Sequence, residues 1–268
     1  MNFRPPRPFF CASLLLLLML LQACTSPKAL PFQSRKPSRE AQRWEASLGR
    51  PPADYLSPAT MTRELNIHRS FIPDGRYGRR LDRPMKPRYV TIHSTQNYTG
   101  DAWDHARALK NGKLRGGVCG YLCWHFTVQD DVILQHLPTD ERGEHADFDG
   151  PGNRYSIGIE MCEHRGDSRA ETIDRTAKLT ASLMYYHRIP LANVVPHYHW
   201  PRYKYDNPHK NCPHFLLDGG RPGPTWEWFK GRVKAHHDRL VNSPPSLTRF
   251  VDRNEQRGIR AEELKGQG

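Results

Sequence analysis

The chain has 268 residues, enough for one domain of ordinary size with extensions at its ends. Its formal net charge is +12, of which residues 1–88 contribute +10 and residues 89–240 only +1. A nucleic-acid-binding domain carries its basic residues on the folded unit, so the nearly neutral central region argues against that class of protein. Thirteen of the 14 histidines lie between His93 and His237, which indicates site chemistry in this region.

The first 24 residues have the features of an export signal. Arg4 and Arg7 precede an uncharged, mainly apolar run over residues 9–21. This run is shorter than the about 20 residues that a membrane-spanning helix needs, and a basic start before a short apolar stretch is typical of a secretory signal peptide. Residues 21–24, with the sequence Leu-Gln-Ala-Cys, resemble the lipobox of bacterial lipoproteins.

The lipobox resemblance implies that residues 1–23 are removed and that Cys24 carries a lipid. The exported protein is then expected to be attached to a membrane, at the periplasmic face of the outer membrane if the cell has one. Residues 24–88 are rich in proline, arginine and serine and, apart from a short helix over residues 41–48, are expected to form a basic tether. The charge of this tether suits anionic lipid or wall polymer, and a solvated linker is the alternative.

Export also permits disulfide bonds. If Cys24 and Cys212 are otherwise engaged, at most one pair can form among Cys119, Cys123 and Cys162. The sequence does not select a pair, and free buried thiols are the alternative.

Regular structure is predicted from residue 89 onward. The residue patterns predict strands at 89–92, 124–129, 132–136 and 155–161, and helices at 102–110, 171–187 and 226–240. The second and third strands are expected to form a hairpin. Strands followed by helices that cover them indicate a single α/β or α+β domain over residues 89–240. The charged residues 241–268 are expected to form a loose tail.

Three segments with metal-ligand side chains lie at the predicted ends of strands or in the following loops. His93 ends an apolar strand, His197 lies beyond the long helix, and Cys212 follows in a later loop. Two imidazoles and a thiolate, with one position left for water, describe a catalytic zinc site. Taken alone, each histidine could equally be a core or surface residue with satisfied hydrogen bonds.

Five motifs occur between residues 89 and 240 in an order that is typical of one enzyme family. They are VTIHST at 90–95, WHFTV at 124–128 followed by two aspartates, EHA at 144–146, Asn153 with SIGIE at 156–160, and HYHW at 197–200 with KNCP at 210–213. Through them the chain resembles the zinc-dependent N-acetylmuramoyl-L-alanine amidases of the type 2 family, which are related to peptidoglycan recognition proteins. The resemblance implies an α/β domain with a central mixed β-sheet flanked by helices.

The same resemblance implies roles for individual residues. His93, His197 and Cys212 match the zinc ligands of the family. Glu160 matches an acidic residue that activates water, and Lys210 matches a lysine that stabilises the oxyanion.

Other parts of the resemblance are less direct. His145 and Asn153 match residues expected to bind substrate. The spacing of 15 residues from His197 to the last ligand is longer than is common in the family, which implies an inserted loop. This loop leaves His199 and His209 as rival ligands, and the HYHW pattern favours His197.

The function implied by the resemblance is hydrolysis of the amide bond between N-acetylmuramic acid and the L-alanine of the stem peptide, by zinc-activated water. Peptidoglycan or muropeptides are the expected partners, and a monomer that does not bind nucleic acid is expected. One alternative is a non-catalytic peptidoglycan-binding protein on the same fold, although such proteins typically lose the ligand that Cys212 retains. Another is a zinc peptidase, but the sequence has no His-Glu-x-x-His pattern.

Overall fold

The structure is a computed structural model, and it describes residues 36–203 and 205–241. The predicted signal peptide, the predicted lipidation site Cys24 and residues 242–268 of the predicted tail lie outside the described residues. The helices are α1 (Arg39–Leu48), α2 (Pro58–Leu65), α3 (Ala102–Lys110), α4 (Pro151–Tyr155), α5 (Arg169–His187) and α6 (Pro224–Val241). The strands are β1 (Ile67–Arg69), β2 (Tyr89–Ser94), β3 (Phe126–Val128), β4 (Ile133–Gln135), β5 (Ser156–Met161) and β6 (Val194–Pro196).

The six strands form one mixed sheet in the order β1-β4-β3-β5-β2-β6. β3 and β4 form the predicted antiparallel hairpin, and every other neighbouring pair in this sheet is parallel. α5 packs against α1, α2 and α6 and contacts the central strands, while α3 packs against β3 and β4. The predicted mixed sheet flanked by helices is therefore confirmed.

The adjacent parallel strands β2 and β5 are buried along almost their whole length because both faces of the sheet are covered. Val90 and Ile92 of β2 and Ile157 and Ile159 of β5 are fully buried. Strands that are buried on both faces are typical of parallel sheets that carry layers on both faces. The apolar residues of α5 and α6 complete this core. No helix in the described part of the chain is long and apolar enough to cross a membrane.

The expectation of a tether over residues 24–88 is wrong for residues 36–88, which are part of the fold. β1 pairs in parallel with β4 at the edge of the sheet. Met61 and Leu65 of α2 are buried in the main core, and Trp44 of α1 packs against it. Proline and arginine dominate the composition of this segment, but its few apolar residues are the ones that pack.

This correction also changes the charge of the folded unit. Residues 36–241 carry 31 basic and 24 acidic side chains, a net charge of +7, so the folded region is not the nearly neutral one expected. Part of this basic charge is structural, because the Arg79 guanidinium binds the Glu141 carboxylate with two hydrogen bonds of 2.6 and 2.7 Å.

Candidate metal centre

Three adjacent parallel strands bring polar side chains to one edge of the sheet. β2 lies between β5 and β6, and both neighbours run parallel to it. The carboxyl ends of parallel strands meet at the same edge, where open α/β sheets bind ligands. His93 precedes the last residue of β2, Glu160 is its register partner on β5, and His197 directly follows β6. The fold thus gathers three residues that are far apart in the sequence.

Cys212 is held at the end of β2 by backbone groups. The Ser94 N–H donates to the Cys212 sulfur at 3.4 Å, and the Tyr198 N–H donates to the Cys212 carbonyl at 3.1 Å. The side-chain donor atoms of His93, His197 and Cys212 lie within 4.8 Å of one another, and all three residues are buried. Within residues 36–203 and 205–241, these three form the one group of His, Cys, Asp or Glu side chains placed to hold a metal ion.

Hydrogen bonds fix the proton positions on the two histidines. The Nε2 of His197 lies 3.1 Å from the carbonyl oxygen of Ala146, and since a carbonyl only accepts, this nitrogen carries the proton. The Nε2 of His145 lies 3.2 Å from the Ser156 carbonyl in the same way. The Nδ1 of His145 therefore accepts from the Nε2 of His93 at 3.0 Å. In both neutral ligand imidazoles, Nδ1 is left with the lone pair.

These two lone pairs face each other, with 2.8 Å between the Nδ1 atoms of His93 and His197. Burial lowers the pKa of His93 well below its usual value and the pKa of His197 to about 3, and the charge of Lys210 acts in the same direction. Neither ring therefore takes up a proton at neutral pH to relieve the repulsion between the lone pairs. A metal cation bound to both nitrogens relieves it.

The third donor completes a set that fits Zn²⁺. Two imidazole nitrogens and a thiolate are ligands that zinc prefers. Burial raises the pKa of the Cys212 thiol to about 12, and a coordinated cation removes the proton of a thiol. The donor chemistry and the convergence of the three atoms therefore match this ion.

Glu160 faces the same site with an unpaired oxygen. Its Oε1 lies 3.9 Å from the Nδ1 of His93, and its Oε2 is buried with no hydrogen-bond partner in the described part of the protein. Burial raises the pKa of Glu160 to about 8, while the charge of Lys210 acts to lower it. A carboxyl group whose pKa lies near neutrality can both accept and return a proton. A cation bound at the three ligands would lower this pKa further.

Lys210 lies two residues before Cys212 and is half-buried. Its positive charge lowers the pKa of every group described above, namely His93, Glu160, His197 and Cys212. Its charge can stabilise negative charge that develops among these groups.

His145 and Asn153, the two residues expected to bind substrate, are both buried, and their polar side-chain atoms bind other protein groups. His145 links the Ser156 carbonyl to the ring of His93. Asn153 Oδ1 accepts from the N–H groups of His145 and Ala146, at 2.9 and 2.7 Å. His145 therefore orients the ring of His93, and Asn153 holds the loop that carries both His145 and the carbonyl bound by His197. A role of either residue in binding substrate stays a prediction.

The glycine within β5 is explained by this arrangement. A Cβ atom at Gly158 would lie 2.7 Å from the ring of His145, closer than real Cβ contacts allow. The absence of a side chain lets the His145 ring lie against the strand and reach His93. The close approach accounts for a residue that otherwise weakens a strand.

The two rival ligands lie away from the three donors. His199 is exposed, and its ring lies beside Tyr89 with 6.5 Å between the ring centroids. His209 stacks on Tyr198, and its Nδ1 lies 2.8 Å from the Tyr198 carbonyl. The cysteines in the described ranges are Cys119, Cys123, Cys162 and Cys212, and all four are buried free thiols.

Glu163 supports the site and is not singled out by the sequence patterns. Its buried carboxylate binds the Nε2 of His214 at 2.9 Å and lies 3.1 Å from the Arg169 guanidinium. It also accepts from the Gln96 N–H at 3.1 Å. It thereby links the loop after β2, the start of α5 and the segment after Cys212. The sequence shows only a glutamate two residues beyond a predicted strand, a position that is usually solvated.

The curated proteins that this chain resembles are described as N-acetylmuramoyl-L-alanine amidases. The family described as N-acetylmuramoyl-L-alanine amidase matches residues 83–215. N-acetylmuramoyl-L-alanine amidase XlyA of Bacillus subtilis is 42% identical over 172 residues, which cover 63% of this chain and 51% of that protein. N-acetylmuramoyl-L-alanine amidase CwlH of the same organism is 40% identical over 189 residues, covering 68% of this chain and 66% of that protein. The chain thus spans about half to two thirds of the length of these curated relatives.

Solved structures extend the match to three dimensions. The structure of the catalytic domain of XlyA is 43% identical and covers 63% of this chain and 99% of that domain, with a TM-score of 0.52. The structure of PlyL is 26% identical and covers 63% of this chain and 96% of its own, with a TM-score of 0.51. The family match includes the three metal-ligand candidates, Glu160 and Lys210, and it begins after α1, α2 and β1. On this evidence of sequence and fold, the chain belongs to the N-acetylmuramoyl-L-alanine amidase (Amidase_2) family.

Proposed function

We propose that the protein is a zinc-dependent N-acetylmuramoyl-L-alanine amidase that acts on peptidoglycan or on muropeptides. The bond cleaved joins the lactyl group of N-acetylmuramic acid to the L-alanine of the stem peptide. The observation that carries the proposal is the convergence of the donor atoms of His93, His197 and Cys212 beside Glu160 in a member of this family.

The chain's own residues would hold and orient the ion. His93 and His197 would bind through Nδ1 and Cys212 through its sulfur. When bound, zinc lowers the pKa of water and polarises a carbonyl. The hydrogen bonds from the two imidazoles to His145 and to the Ala146 carbonyl keep both lone pairs directed to one point.

Glu160 is the proton-transfer group of this mechanism. In amide hydrolysis the attacking water loses a proton and the leaving amine gains one. The unpaired Oε2 of Glu160 takes the first proton and returns one to the amine nitrogen. Burial raises the pKa of this carboxyl and a bound cation would lower it, which favours the ionised form that takes the proton from water.

Lys210 provides the fixed positive charge of the site. As the carbonyl carbon becomes tetrahedral, its oxygen gains negative charge. The ammonium group stabilises that charge, and the buried surroundings strengthen the attraction because they contain little water.

The experiment that tests this function is a digest of purified muropeptide by the purified protein, read by mass spectrometry. We expect free stem peptide beginning with L-alanine, together with sugar that lacks the peptide. Cleavage inside the stem peptide would indicate a peptidase. Binding without cleavage would indicate the non-catalytic alternative, and either result would overturn the proposal.

We also propose that the protein is exported and attached to a membrane by a lipid on Cys24. The support for this comes from the sequence of residues 1–24 alone, with its basic start, short apolar run and lipobox-like end. Cells fed labelled palmitate should label the wild-type chain and leave the Cys24→Ala chain unlabelled. Absence of label from both chains would rule out the lipid anchor.

A further inference from the structure

The third metal-ligand candidate differs from the other two in how its backbone is placed. His93 lies within β2 and His197 directly follows β6, so the pairing of the strands sets both positions. Cys212 lies in a turn, and a short 3₁₀ helix (His214–Leu216) follows it. The position of its sulfur therefore depends on contacts from other parts of the fold.

Glu163 holds the residue two positions after Cys212. Its buried carboxylate accepts from the Nε2 of His214 at 2.9 Å and lies 3.1 Å from the Arg169 guanidinium. Hydrogen bonds to a charged group are stronger than those between neutral groups. This link therefore fixes the start of the 3₁₀ helix that follows the cysteine.

Arg169 holds the same 3₁₀ helix at a second residue. Its guanidinium carbon lies 4.3 Å from the centroid of the Phe215 ring, a cation–π contact. Trp44 of α1 also packs against this ring, with 6.0 Å between the ring centroids. Because Arg169 pairs with Glu163, one carboxylate is connected to both His214 and Phe215.

The same carboxylate binds the loop that contacts the Cys212 sulfur. The Gln96 N–H donates to Glu163 at 3.1 Å, and the Glu163 N–H donates to the Thr95 hydroxyl oxygen at 3.2 Å. Ser94, the last residue of β2, donates its N–H to the Cys212 sulfur at 3.4 Å. Glu163 thus holds the loop next to the donor of this contact as well as the turn that carries the sulfur.

The backbone of Gln96 shows that surrounding contacts impose the conformation of this loop. Its φ is 51°, in the left-handed region that residues with a side chain rarely adopt. Such a conformation persists only where the neighbouring structure holds it, and it occurs most often at functional sites. Here Glu163 binds the N–H of Gln96, and the side-chain amide donates to the carbonyl of Asn211, the residue before Cys212, at 3.3 Å.

We propose that Glu163 is a positioning residue for the metal centre and holds the Cys212 sulfur in place for binding a metal ion. It acts through His214 on the turn that carries the cysteine, and through Gln96 on the loop next to the sulfur. This inference rests on the proposed function, since it assigns Glu163 a part in keeping the zinc ion bound.

The test measures zinc affinity of the full-length wild type, Glu163→Gln and His214→Ala by competition with a chromophoric chelator. Glu163→Gln keeps the size of the side chain, but an amide has one acceptor oxygen where a carboxylate has two, so the contact with either His214 or Gln96 is lost. His214→Ala removes the link from its other end and leaves Glu163 paired with Arg169. We expect each variant to bind Zn²⁺ about 10–100-fold more weakly than wild type, the usual effect of changing a residue that orients a metal ligand.

Cobalt spectra show whether the sulfur is the donor that is affected. Co²⁺ in place of Zn²⁺ gives a thiolate-to-cobalt charge-transfer absorption when the Cys212 sulfur is bound. We expect this band to be weaker in Glu163→Gln and His214→Ala than in wild type at equal bound cobalt. A loss of overall stability alone would not change the band, and an unchanged band in both variants would overturn the proposal.

Asp174→Asn is the matched control. The Asp174 carboxylate is bound by the same kinds of donor, the Nε2 of His236 at 2.9 Å and the guanidinium of Arg232 at 2.5 Å, but it joins α5 to α6. We expect this variant to lose stability, because it breaks a buried ion pair, and to keep the zinc affinity of wild type. Equally weakened zinc binding in Asp174→Asn and Glu163→Gln would overturn the positioning role.

Zinc binding needs no cleavage, so this inference and the proposed function can fail separately. Wild type that binds zinc but releases no stem peptide would overturn the amidase function, while the affinity of Glu163→Gln still tests the positioning role. Wild-type zinc affinity in both Glu163→Gln and His214→Ala would overturn the positioning role alone. Wild type that binds no zinc would overturn both.

Discussion

Replacing Glu160 by glutamine is expected to lower turnover by about 10²–10⁴-fold, the usual contribution of a general acid–base group. Glutamine keeps the size of the side chain but cannot take a proton from water. The zinc content should stay at the wild-type level, because Glu160 is not among the three donors His93, His197 and Cys212. The measurements are initial rates of stem-peptide release at saturating muropeptide and metal analysis of the same samples.

The control for this variant is Asp149→Asn. Asp149 pairs with Arg154 on the surface at 2.5 Å, and an exposed pair of this kind contributes little. Turnover of the control should equal that of the wild type. Full turnover of Glu160→Gln at full zinc content would remove this residue from the proton transfer.

Replacing Arg232 by methionine is expected to lower the free energy of unfolding by about 3–5 kcal/mol at pH 7, the usual effect of breaking a buried ion pair. Arg232 is only 4% exposed, and it binds Asp174 of α5 at 2.5 Å and Glu45 of α1 at 2.7 Å. The substitution leaves both carboxylates without this partner. Urea denaturation measures the difference, and the control Lys234→Met, which breaks an exposed pair on the same helix, should change stability by less than about 1 kcal/mol.

The same network gives the stability a pH dependence. Burial acts to raise the pKa of Asp174, but the hydrogen bond from His236 and the charges of His236 and Arg232 outweigh it and hold this pKa well below its usual value. The stabilisation is therefore complete above the unfolded pKa of about 3.9 and is lost as the pH falls below it. Wild type should lose more stability than Arg232→Met over that acidic range. This role of Arg232 would be contradicted if the free energy of unfolding fell equally steeply with pH in wild type and Arg232→Met. It would also be contradicted if the variant were less stable than wild type by under about 1 kcal/mol at pH 7.

Elements with local signals are predicted well from the sequence. α3 begins and ends at the predicted residues, because the side chain of Asp101 accepts from the Asp104 N–H at its start and Asn111 follows its last residue. The β3–β4 hairpin is predicted because two alternating runs flank a polar turn. The donors His93, His197 and Cys212 are predicted from motif resemblance, which specifies a combination that periodicity alone does not.

The helix predicted at residues 41–48 corresponds to α1, but its packing and the other N-terminal elements, α2 and β1, are not predicted because their stability depends on distant partners. β1 has only three residues, and its Ile67 pairs with Ile133 of β4. Trp44 packs against Phe215 and Trp228, which lie far along the chain. Nothing in the local composition distinguishes such residues from those of a tether.

The contacts of His145 and Asn153 likewise cannot be predicted from the sequence. A motif places both near the site, but only interatomic distances show whether a side chain faces substrate or supports a ligand. The 3.0 Å contact from His145 to His93 and the two backbone hydrogen bonds accepted by Asn153 show that both residues support the site, and their predicted role in binding substrate stays a prediction. The supporting contacts of Glu163 are also not predictable from the sequence, because they come from three separate segments of the chain.

The zinc dependence of amide cleavage is the property that most directly tests the proposed metal centre. The purified protein is stripped with a chelator, and one equivalent of Zn²⁺ is then returned while stem-peptide release is followed. We expect release to stop on removal and to return in proportion to bound zinc, and Cys212→Ala to stay inactive after zinc is returned. Undiminished release of stem peptide by the metal-free protein would contradict the assignment of His93, His197 and Cys212 as the ligands of a catalytic zinc ion.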